Sequence, residues 1–228
     1  MKIALISDFA KTLTAPSNPT TWSVFAQSWL LGAKYIEDRD NLFKRYHKYE
    51  LAWDTALTKQ WWWEHMKLFI KYGLNKVLME AVVNDTKYFE PRKGLADFFA
   101  YIEQTAIDMT IISSSGISNF VEIFLRTHNI NMSDIDIKWN VLYLNDSGYV
   151  VGYSDAIITS LNKNDVNPDT SQYDIVILLW DSESDITMSD SPNCIRIGFC
   201  DSDTPWYNYY LWRDASLVEA ISLLEKIL

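Results

Sequence analysis

The continuous apolar run Ile175-Val176-Ile177-Leu178-Leu179 is the feature of this sequence that most constrains its fold. It lacks the alternating polar positions of a strand with one solvated face, which is typical of a central strand in a parallel sheet covered on both faces. The sequence predicts further strands at residues 2–7, 108–112 and 194–199, and helices at residues 93–104, 117–128 and 215–228. This alternation predicts an α/β fold with a doubly wound parallel sheet.

A block of helical patterns, from about residue 22 to residue 85, separates the first strand from the others. It carries no strand pattern, which is what an insertion over the carboxyl edge of the sheet would look like. We therefore expect a sheet core of residues 1–15 and 91–228, and an inserted all-helical cap of residues 16–90. Residues 138–144 and 149–153 also predict a hairpin.

The acidic balance of the chain limits its partners. A net charge of −10 leaves no excess of Lys and Arg to neutralise a nucleic-acid backbone, so we expect no nucleic-acid polymer as partner. A small phosphorylated metabolite remains compatible if a cation bridges it to carboxylates. No apolar stretch approaches the roughly 20 residues that span a bilayer. We expect a cytoplasmic protein with no membrane partner and with Cys194 and Cys200 reduced; the oligomeric state is left open by these patterns.

Polar motifs follow several of the predicted strands. Asp8 follows the first strand, with Thr12 shortly after it, and Asp181 and Asp185 follow the longest apolar run. Open α/β sheets place their ligands at the carboxyl ends of the strands, so we expect these groups to lie together. The remaining two motifs are the run Ser113-Ser114-Ser115-Gly116 and the segment Leu161-Asn162-Lys163-Asn164.

Each motif alone is typical of a turn, a helix cap or a solvated side chain, but their order indicates a site. A carboxylate such as Asp8 can act as a nucleophile toward phosphorus or as a ligand for a hard cation. A helix N-terminus after small hydroxyl residues binds phosphate. A lysine near the cluster can neutralise a phosphate oxygen and an aspartate together. The motifs therefore predict phosphoryl chemistry assisted by Mg²⁺.

The order of these motifs resembles that of the haloacid dehalogenase-like (HAD) hydrolase superfamily, and within it the eukaryotic cytosolic pyrimidine 5′-nucleotidases. The similarity extends over nearly the whole chain, including the helical insert. Its most similar segments are Ile177 to Asp185 with Met188 and Asp190, Ser114-Ser115-Gly116-Ile117, Asn162-Lys163-Asn164, and the closing Ile221 to Leu228. The resemblance implies a Mg²⁺-dependent phosphohydrolase that acts on a small phosphate monoester, with nucleoside 5′-monophosphates as candidates.

The resemblance also assigns roles to individual residues. Asp8 is implied to be the nucleophile that forms an aspartyl-phosphate, with Lys163 balancing its charge. Mg²⁺ is implied to sit on Asp8, the backbone carbonyl of Ala10 and Asp181, while Asp185 holds the metal waters or Lys163. The implied phosphate-binding residues are Thr12, Ser114, Ser115, Gly116 and Lys163. In the cap, the candidate substrate-binding residues are Trp62, Trp63 and Glu64.

Two positions depart from the family pattern. Ala10 stands where family phosphatases carry an acid that protonates the leaving oxygen and activates water. Losing such general acid–base help forfeits about 10²–10⁴-fold in rate, so ordinary phosphatase turnover is expected to be weak. Trp180 stands where the family usually has glycine, and its indole either narrows the site or points into the core.

These departures leave two alternatives open. The first is a catalytically inactive relative that keeps the fold and binds a phosphorylated ligand or a protein. The second is a phosphonatase-like C–P hydrolase, which the Asp-x-Ala-x-Thr motif also resembles and which uses a cap lysine as a Schiff base. The cap lysines available for that role include Lys34, Lys44, Lys48, Lys59, Lys67 and Lys71.

Aromatic residues are dense in two places. Trp61, Trp62 and Trp63 cannot all face one side of a helix, so at least one is expected at the surface or in the cleft, where it could stack on a base. The second cluster, near the C-terminus, is predicted to pack in the core or to form a partner surface; it comprises Trp206, Tyr207, Tyr209, Tyr210 and Trp212.

Overall fold

The computed structural model describes residues 1–85, 87–114, 118–201 and 206–228. The strands are β1 Ile3–Ser7, β2 Asp108–Ile112, β3 Ile135–Lys138, β4 Leu142–Leu144, β5 Val150–Tyr153, β6 Ile175–Trp180, β7 Cys194–Cys200 and β8 Tyr209–Trp212. The helices are α1 Thr21–Ser28, α2 Gly32–Leu51, α3 Thr55–Lys71, α4 Lys76–Val83, α5 Leu95–Thr105, α6 Ser118–Thr127 and α7 Leu217–Ile227.

Six strands form one parallel sheet in the order β3-β2-β1-β6-β7-β8. The predicted α/β fold with a parallel sheet core and flanking helices is therefore confirmed. The chain runs outward from β1 through β2 to β3, and then returns to the other side of β1 with β6. A sheet of this kind opens a crevice at the carboxyl ends of the strands where the order reverses, so ligands are expected beyond β1 and β6.

Successive side chains of the central strands point to opposite sides of the sheet, and apolar clusters bury them on both faces. Leu5, Ile177 and Leu179 belong to the larger apolar cluster, and Leu178 and Trp180 belong to the smaller one on the other face. Trp180 is fully buried and does not line the cavity described below. Of the two alternatives stated for its indole, burial in the core is therefore confirmed.

Gly198 explains how so large a side chain fits there. It is the register partner of Trp180 on β7. A Cβ atom at this position would overlap with the ring of Tyr207, whose centroid lies 5.3 Å from that of Trp180. The glycine therefore leaves the space that the Trp180–Tyr207 contact needs.

Helices α1 to α4 lie between β1 and α5 in the chain, as the helical pattern predicts. Asp54 caps α3 by accepting a hydrogen bond from the backbone N–H of Leu57, and α3 ends just before Gly73, which adopts φ +70°. The chain enters and leaves this helical segment at one place, where the N–H of Ala15 donates to the carbonyl of Glu90 over 2.8 Å. The division of the chain at residues 15 and 90 stays a prediction.

The structure differs from the sequence prediction at two strands. The hairpin is formed by β4 and β5, but Lys138 belongs to β3, a parallel strand of the main sheet. β8 was not predicted; it is an edge strand, and Tyr209, Tyr210 and Trp212 are exposed on it. An edge strand buries little of either face, so its apolar pattern does not distinguish it from a loop. Among the described helices, none combines the length and the apolar character that crossing a membrane requires.

Candidate active site

Asp8 lies directly beyond β1, at the end of the sheet where the strand order reverses. Its backbone N–H donates to the carbonyl of Leu179 over 3.0 Å, which continues the β1–β6 pairing by one residue. The Asp8 side chain is nearly buried. The central strands of the sheet therefore hold this carboxylate in a fixed position at the floor of a cavity.

Lys163 joins two of the predicted acidic residues. It begins a 3-10 turn, and its side chain is only 2% exposed. Its Nζ donates to Oδ1 of Asp8 and to Oδ1 of Asp185, each over 2.5 Å. Burial alone would lower the pKa of Lys163, but Asp185 and Asp8 more than offset this and raise it. The lysine is therefore a permanent buried cation between two carboxylates.

Asp181 completes a cluster of three carboxylates with Asp8 and Asp185. One oxygen from each lies within 4.8 Å of the others. Burial, followed by repulsion from Asp8 and Asp185, raises the pKa of Asp181. Burial also raises the pKa of Asp185, although Lys163 opposes the shift. Because Lys163 and Lys11 offset the charge of the three carboxylates only in part, the pKa of Asp181 stays raised, and the cluster has the charge and the oxygen ligands that suit a divalent cation.

The loop after Asp8 brings Ala10 and Lys11 to the cavity and turns Thr12 away from it. Thr12 is fully buried, and its Oγ1 donates to Oδ1 of Asp181 over 3.4 Å. The prediction that Thr12 binds phosphate stays a prediction; in this structure its hydroxyl is directed to Asp181. Lys11 adopts φ +60°, and its backbone N–H donates to Oγ1 of Thr14 over 2.8 Å. The left-handed residue reverses the chain direction and orients the side chains on either side of it.

Arg92 supports this loop through its buried guanidinium group, a role that no sequence pattern predicts. Its Nε donates to the carbonyl of Thr12 over 2.8 Å, and Nη2 donates to the carbonyl of Lys11. Nη1 donates to the carbonyls of Arg213 and Ala215, each over 2.8 Å. Burial lowers the pKa of Arg92 to about 10, so it stays charged at neutral pH. One guanidinium group thus ties the loop after Asp8 to the segment before α7.

Ser114 lies in the cavity, at the end of β2, as predicted. Its backbone carbonyl accepts a hydrogen bond from Nε1 of Trp62 over 3.0 Å and one from Nε1 of Trp22 over 3.3 Å. The two indoles belong to α3 and α1, so the helical segment is bonded directly to the loop that follows β2. The predicted phosphate-binding residues Ser115 and Gly116 lie outside the described residues.

A cavity of about 590 Å³ extends from the carboxylate cluster to the helices α1, α2 and α3. Its helical side is largely aromatic and carries Trp22, Phe43, Trp61, Trp62 and His65. His65 is fully buried, its Nε2 lies 2.9 Å from the Tyr35 hydroxyl, and burial lowers its pKa to about 3. The imidazole is therefore neutral and serves as part of the wall.

Glu50 is the acid that the helices contribute to this cavity. Its Oε1 accepts a hydrogen bond from Oγ of Ser160 over 2.5 Å, and Oε2 lies 3.3 Å from Nδ1 of His47. No sequence pattern singled out Glu50, although it follows the buried Tyr46 by four residues on α2 and therefore lies on the same face of the helix.

Two predicted substrate-binding residues, Trp63 and Glu64, do not reach the cavity. Trp63 is 38% exposed, and Glu64 pairs with Lys67 over 2.9 Å at the surface. The prediction is corrected for both and retained for Trp62, which lines the cavity. The reason is helical geometry, because residues one and two positions after Trp62 point about 100° and 200° away from it.

The six cap lysines considered for a Schiff base are also absent from this cavity as far as the described chain defines it. Lys34, Lys67 and Lys71 instead form ion pairs with acidic side chains of the cap. The lysines that line the cavity are Lys11 and Lys163, both outside the helical segment.

Comparisons with known proteins agree with this geometry. A sequence model of the family described as pyrimidine 5′-nucleotidase (UMPH-1) matches residues 6–219. The 7-methylguanosine phosphate-specific 5′-nucleotidase of Mus musculus is 25% identical over 257 residues, which cover 100% of this chain and 85% of the relative. The 7-methylguanosine phosphate-specific 5′-nucleotidase A of Xenopus laevis is 26% identical over 220 residues, which cover 87% of this chain and 75% of the relative.

Solved structures give the same fold. Cytosolic 5′-nucleotidase IIIB bound to cytidine superposes with a TM-score of 0.82 at 21% identity, covering 98% of this chain and 85% of its own. A phospho-aspartyl intermediate analogue of phosphoserine phosphatase superposes with a TM-score of 0.65 at 16% identity. The superposition covers 98% of this chain and 99% of the phosphatase chain. The parallel sheet and the helices around it are thus shared with HAD-fold phosphatases.

Proposed function

This chain belongs to the pyrimidine 5′-nucleotidase (UMPH-1) family, and on that premise we propose that it hydrolyses a nucleoside 5′-monophosphate through Asp8. The observation that carries the proposal is the position of Asp8, which lies at the cavity floor with Lys163 on one oxygen and two further carboxylates beside it. A carboxylate held in this way is positioned for in-line attack on phosphorus.

The carboxylate cluster supports Mg²⁺ as the cofactor. Asp8, Asp181 and Asp185 offer only oxygen ligands and carry more negative charge than Lys163 balances, which suits a hard divalent cation. By resemblance to the family, the backbone carbonyl of Ala10 joins Asp8 and Asp181 as a ligand. When bound, Mg²⁺ supplies neutralisation of the charge on the phosphoryl oxygens.

Each residue of the site has a separate role in the reaction. An Asp8 oxygen attacks phosphorus, the bond between phosphorus and the ester oxygen breaks, and an aspartyl-phosphate forms while the nucleoside leaves and takes a proton from water. Lys163 orients the Asp8 carboxylate through its hydrogen bond to Oδ1, and the Ser114 hydroxyl binds a phosphoryl oxygen. Water then attacks the phosphorus and restores the Asp8 carboxylate.

The cavity walls favour a nucleotide with a cationic base. Relatives are named for 7-methylguanosine phosphates, and the 7-methylated guanine ring carries a delocalised positive charge. Aromatic faces such as those of Trp22 and Trp62 attract a cation, and Glu50 adds a carboxylate on the same side. We therefore propose 7-methylguanosine 5′-monophosphate as the preferred monophosphate, with cytidine 5′-monophosphate as the comparison.

The experiment that tests the function is Mg²⁺-dependent phosphate release from a panel of nucleoside monophosphates and sugar phosphates, with Asp8→Asn as the blank. Release that disappears in the blank supports the proposal, and the best substrate identifies the base. Equal release by the wild-type protein and the blank would show that Asp8 is not the nucleophile.

Ala10→Asp is expected to raise the rate of phosphate release from a nucleoside monophosphate by about 10²–10⁴-fold. Ala10 lines the cavity beside Asp8, so an aspartate there can protonate the leaving oxygen and then activate water. Steady-state kinetics of the two proteins measure the gain, with Ala10→Asn as the control because it adds similar volume without an acid. A wild-type rate in the aspartate variant contradicts this account of Ala10.

Binding of Mg²⁺ is expected to release protons and to strengthen as the pH rises toward about neutral. In the metal-free protein, burial and mutual repulsion raise the pKa values of Asp181 and Asp185, so part of the cluster is protonated until the metal displaces the proton. Calorimetric titration in two buffers of different ionisation enthalpy measures the number of protons released. Identical binding enthalpies in the two buffers would contradict the expectation.

A second candidate function is binding of a phosphorylated ligand without turnover. Ala10 favours it, because the residue removes the proton donor and leaves the metal ligands and Lys163 in place. A Mg²⁺-dependent complex with a nucleotide that is never hydrolysed would support this candidate. The phosphonatase-like alternative draws no support from the cavity, where the described cap residues provide no lysine.

A further inference from the structure

We propose that the substrate class this site converts fastest is a nucleoside 5′-diphosphate, whose terminal phosphate passes to Asp8 while the nucleoside 5′-monophosphate leaves. The inference rests on the proposed role of Asp8 as nucleophile. Two neighbouring residues carry it: Ala10, which removes the proton donor, and Lys11, which adds a cation to the same cavity.

The leaving group decides how much the missing acid costs. In the loose transition state of phosphoryl transfer, the bond to the leaving oxygen is largely broken, so that oxygen carries much of the charge. A ribose alkoxide is a base of nearly the strength of hydroxide, whose conjugate acid has a pKa of about 15.7. A departing phosphate monoester has a pKa of about 6 and leaves without a proton. Ala10 is therefore a serious defect for a monophosphate and a small one for a diphosphate.

The second half of the reaction is the same for both substrates, so the missing acid does not distinguish them there. The aspartyl-phosphate breaks with a carboxylate as leaving group, and the pKa of an ordinary aspartate is about 3.9. In the first step the bond between Asp8 and the terminal phosphorus forms, and the bridging P–O bond breaks with its electron pair on the monophosphate. In the second step water adds to phosphorus, the bond to Asp8 breaks, and phosphate leaves with the protons of water. The sum is hydrolysis of a diphosphate to a monophosphate and phosphate.

Lys11 provides the charge that such a leaving group needs. Its side chain lines the cavity next to Ala10, and its charge is near enough to Asp181 to oppose the rise that burial causes in the pKa of that carboxyl, but within the described part of the chain its ammonium group makes no hydrogen bond or ion pair. The backbone around it is fixed, because its carbonyl accepts from Arg92 and its N–H donates to Thr14. An unpaired cation on a fixed loop beside the nucleophile is positioned to hold a second phosphate group.

Other cations of the cavity are already engaged. Lys163 is shared by Asp8 and Asp185, Arg213 pairs with Asp201 over 2.6 Å, and Arg39 pairs with Asp40 over 2.9 Å. Among the cavity lysines of the described residues, Lys11 is thus the one whose ammonium group has no hydrogen-bonded partner and can approach the inner phosphate. A cavity of about 590 Å³ also has room for a nucleotide with one more phosphate group than a monophosphate.

The test compares kcat/KM for 7-methylguanosine 5′-diphosphate and 5′-monophosphate with the full chain in Mg²⁺. Chromatography identifies the monophosphate formed from the diphosphate. We expect the diphosphate to react at least about 10²-fold faster, the lower end of what a general acid contributes. In Ala10→Asp the ratio should fall to within about tenfold, since only the alkoxide leaving group needs the proton that the acid donates, whereas activation of water serves both substrates alike.

Lys11→Met is expected to lower the ratio of diphosphate to monophosphate kcat/KM at least tenfold, and Lys11→Arg to restore most of it. Lys44→Met, an exposed lysine outside the cavity, is the matched control and should keep the wild-type ratio. Melting temperatures confirm that each variant is folded. A ratio that Lys11→Met leaves unchanged removes the assigned role of Lys11 and overturns the proposal.

The outcomes separate this inference from the proposed function. Asp8-dependent release that is equal for the two substrates, or faster for the monophosphate, overturns the diphosphate proposal and leaves the nucleotidase function intact. Release from neither substrate, or release that survives in Asp8→Asn, overturns both.

Discussion

Asp8→Asn is expected to lower the rate of phosphate release by at least about 10⁴-fold, to the level of the uncatalysed background. The amide has the shape of the carboxylate but is a poor nucleophile, and no second carboxylate can take its place. Asp181 and Asp185 lie within reach of the same metal position, but Asp185 is bonded to Lys163 and Asp181 to Thr12. The loss should appear in kcat, because the phosphate-binding groups remain.

The variant is expected to stay folded, which makes the measurement interpretable. Removing one of three clustered carboxylates relieves repulsion, and Lys163 keeps its bond to Asp185. Asp190→Asn is the matched control. This exposed aspartate lies shortly after Asp181 and Asp185 in the chain but does not line the cavity. Mass spectrometry of the acid-quenched wild-type protein should detect a phosphate on Asp8 that the asparagine variant lacks. A phosphorylated asparagine variant, or one with wild-type kcat, refutes the assignment.

Arg92→Met is expected to lower the free energy of unfolding by about 3–5 kcal/mol. Methionine replaces much of the apolar stem but leaves the carbonyls of Lys11, Thr12, Arg213 and Ala215 without their shared donor. Buried carbonyls that lose their donor keep the full cost of desolvation. The guanidinium group also stacks on Phe199, with its carbon 3.8 Å from the ring centroid, and that contact disappears as well.

Chemical denaturation measures the loss. Lys93→Met is the control, because the adjacent lysine is exposed and its replacement should change stability by less than about 0.5 kcal/mol. Arg92→Lys should recover only part of the loss, since a single ammonium group cannot reach four carbonyls in two segments with the planar fork of arginine. Wild-type stability in Arg92→Met would show that water replaces the guanidinium group without cost.

The parts of the fold that follow from local pattern could be predicted from the sequence. The strand that ends before Asp8 and the run at residues 175–179 carry their periodicity within a few residues, so their place in a parallel sheet was predictable. The ends of such strands meet at one edge, and this is why Asp181, Asp185 and Lys163 were brought to Asp8 as expected.

The parts that depend on contacts between distant residues could not be predicted in this way. Arg92 bonds to residues 80 to 123 positions away, and no periodic pattern reports such pairs. The cap acid was assigned to Glu64, although Glu50 lies in the cavity, because only packing decides which face of each helix turns inward. The bond from the Thr12 hydroxyl to Asp181 was unpredictable for a similar reason, since a motif names a residue but does not orient its hydroxyl.

Ser114 holds the helices through its backbone carbonyl, and in the proposed function it binds phosphate through its hydroxyl. Trp22 and Trp62 bond to its main chain, which every amino acid would present alike. The identity of residue 114 therefore does not affect these two bonds, whose donors are the indoles. A substitution at position 114 is therefore expected to leave both bonds in place, whereas replacing Trp22 or Trp62 removes one of them.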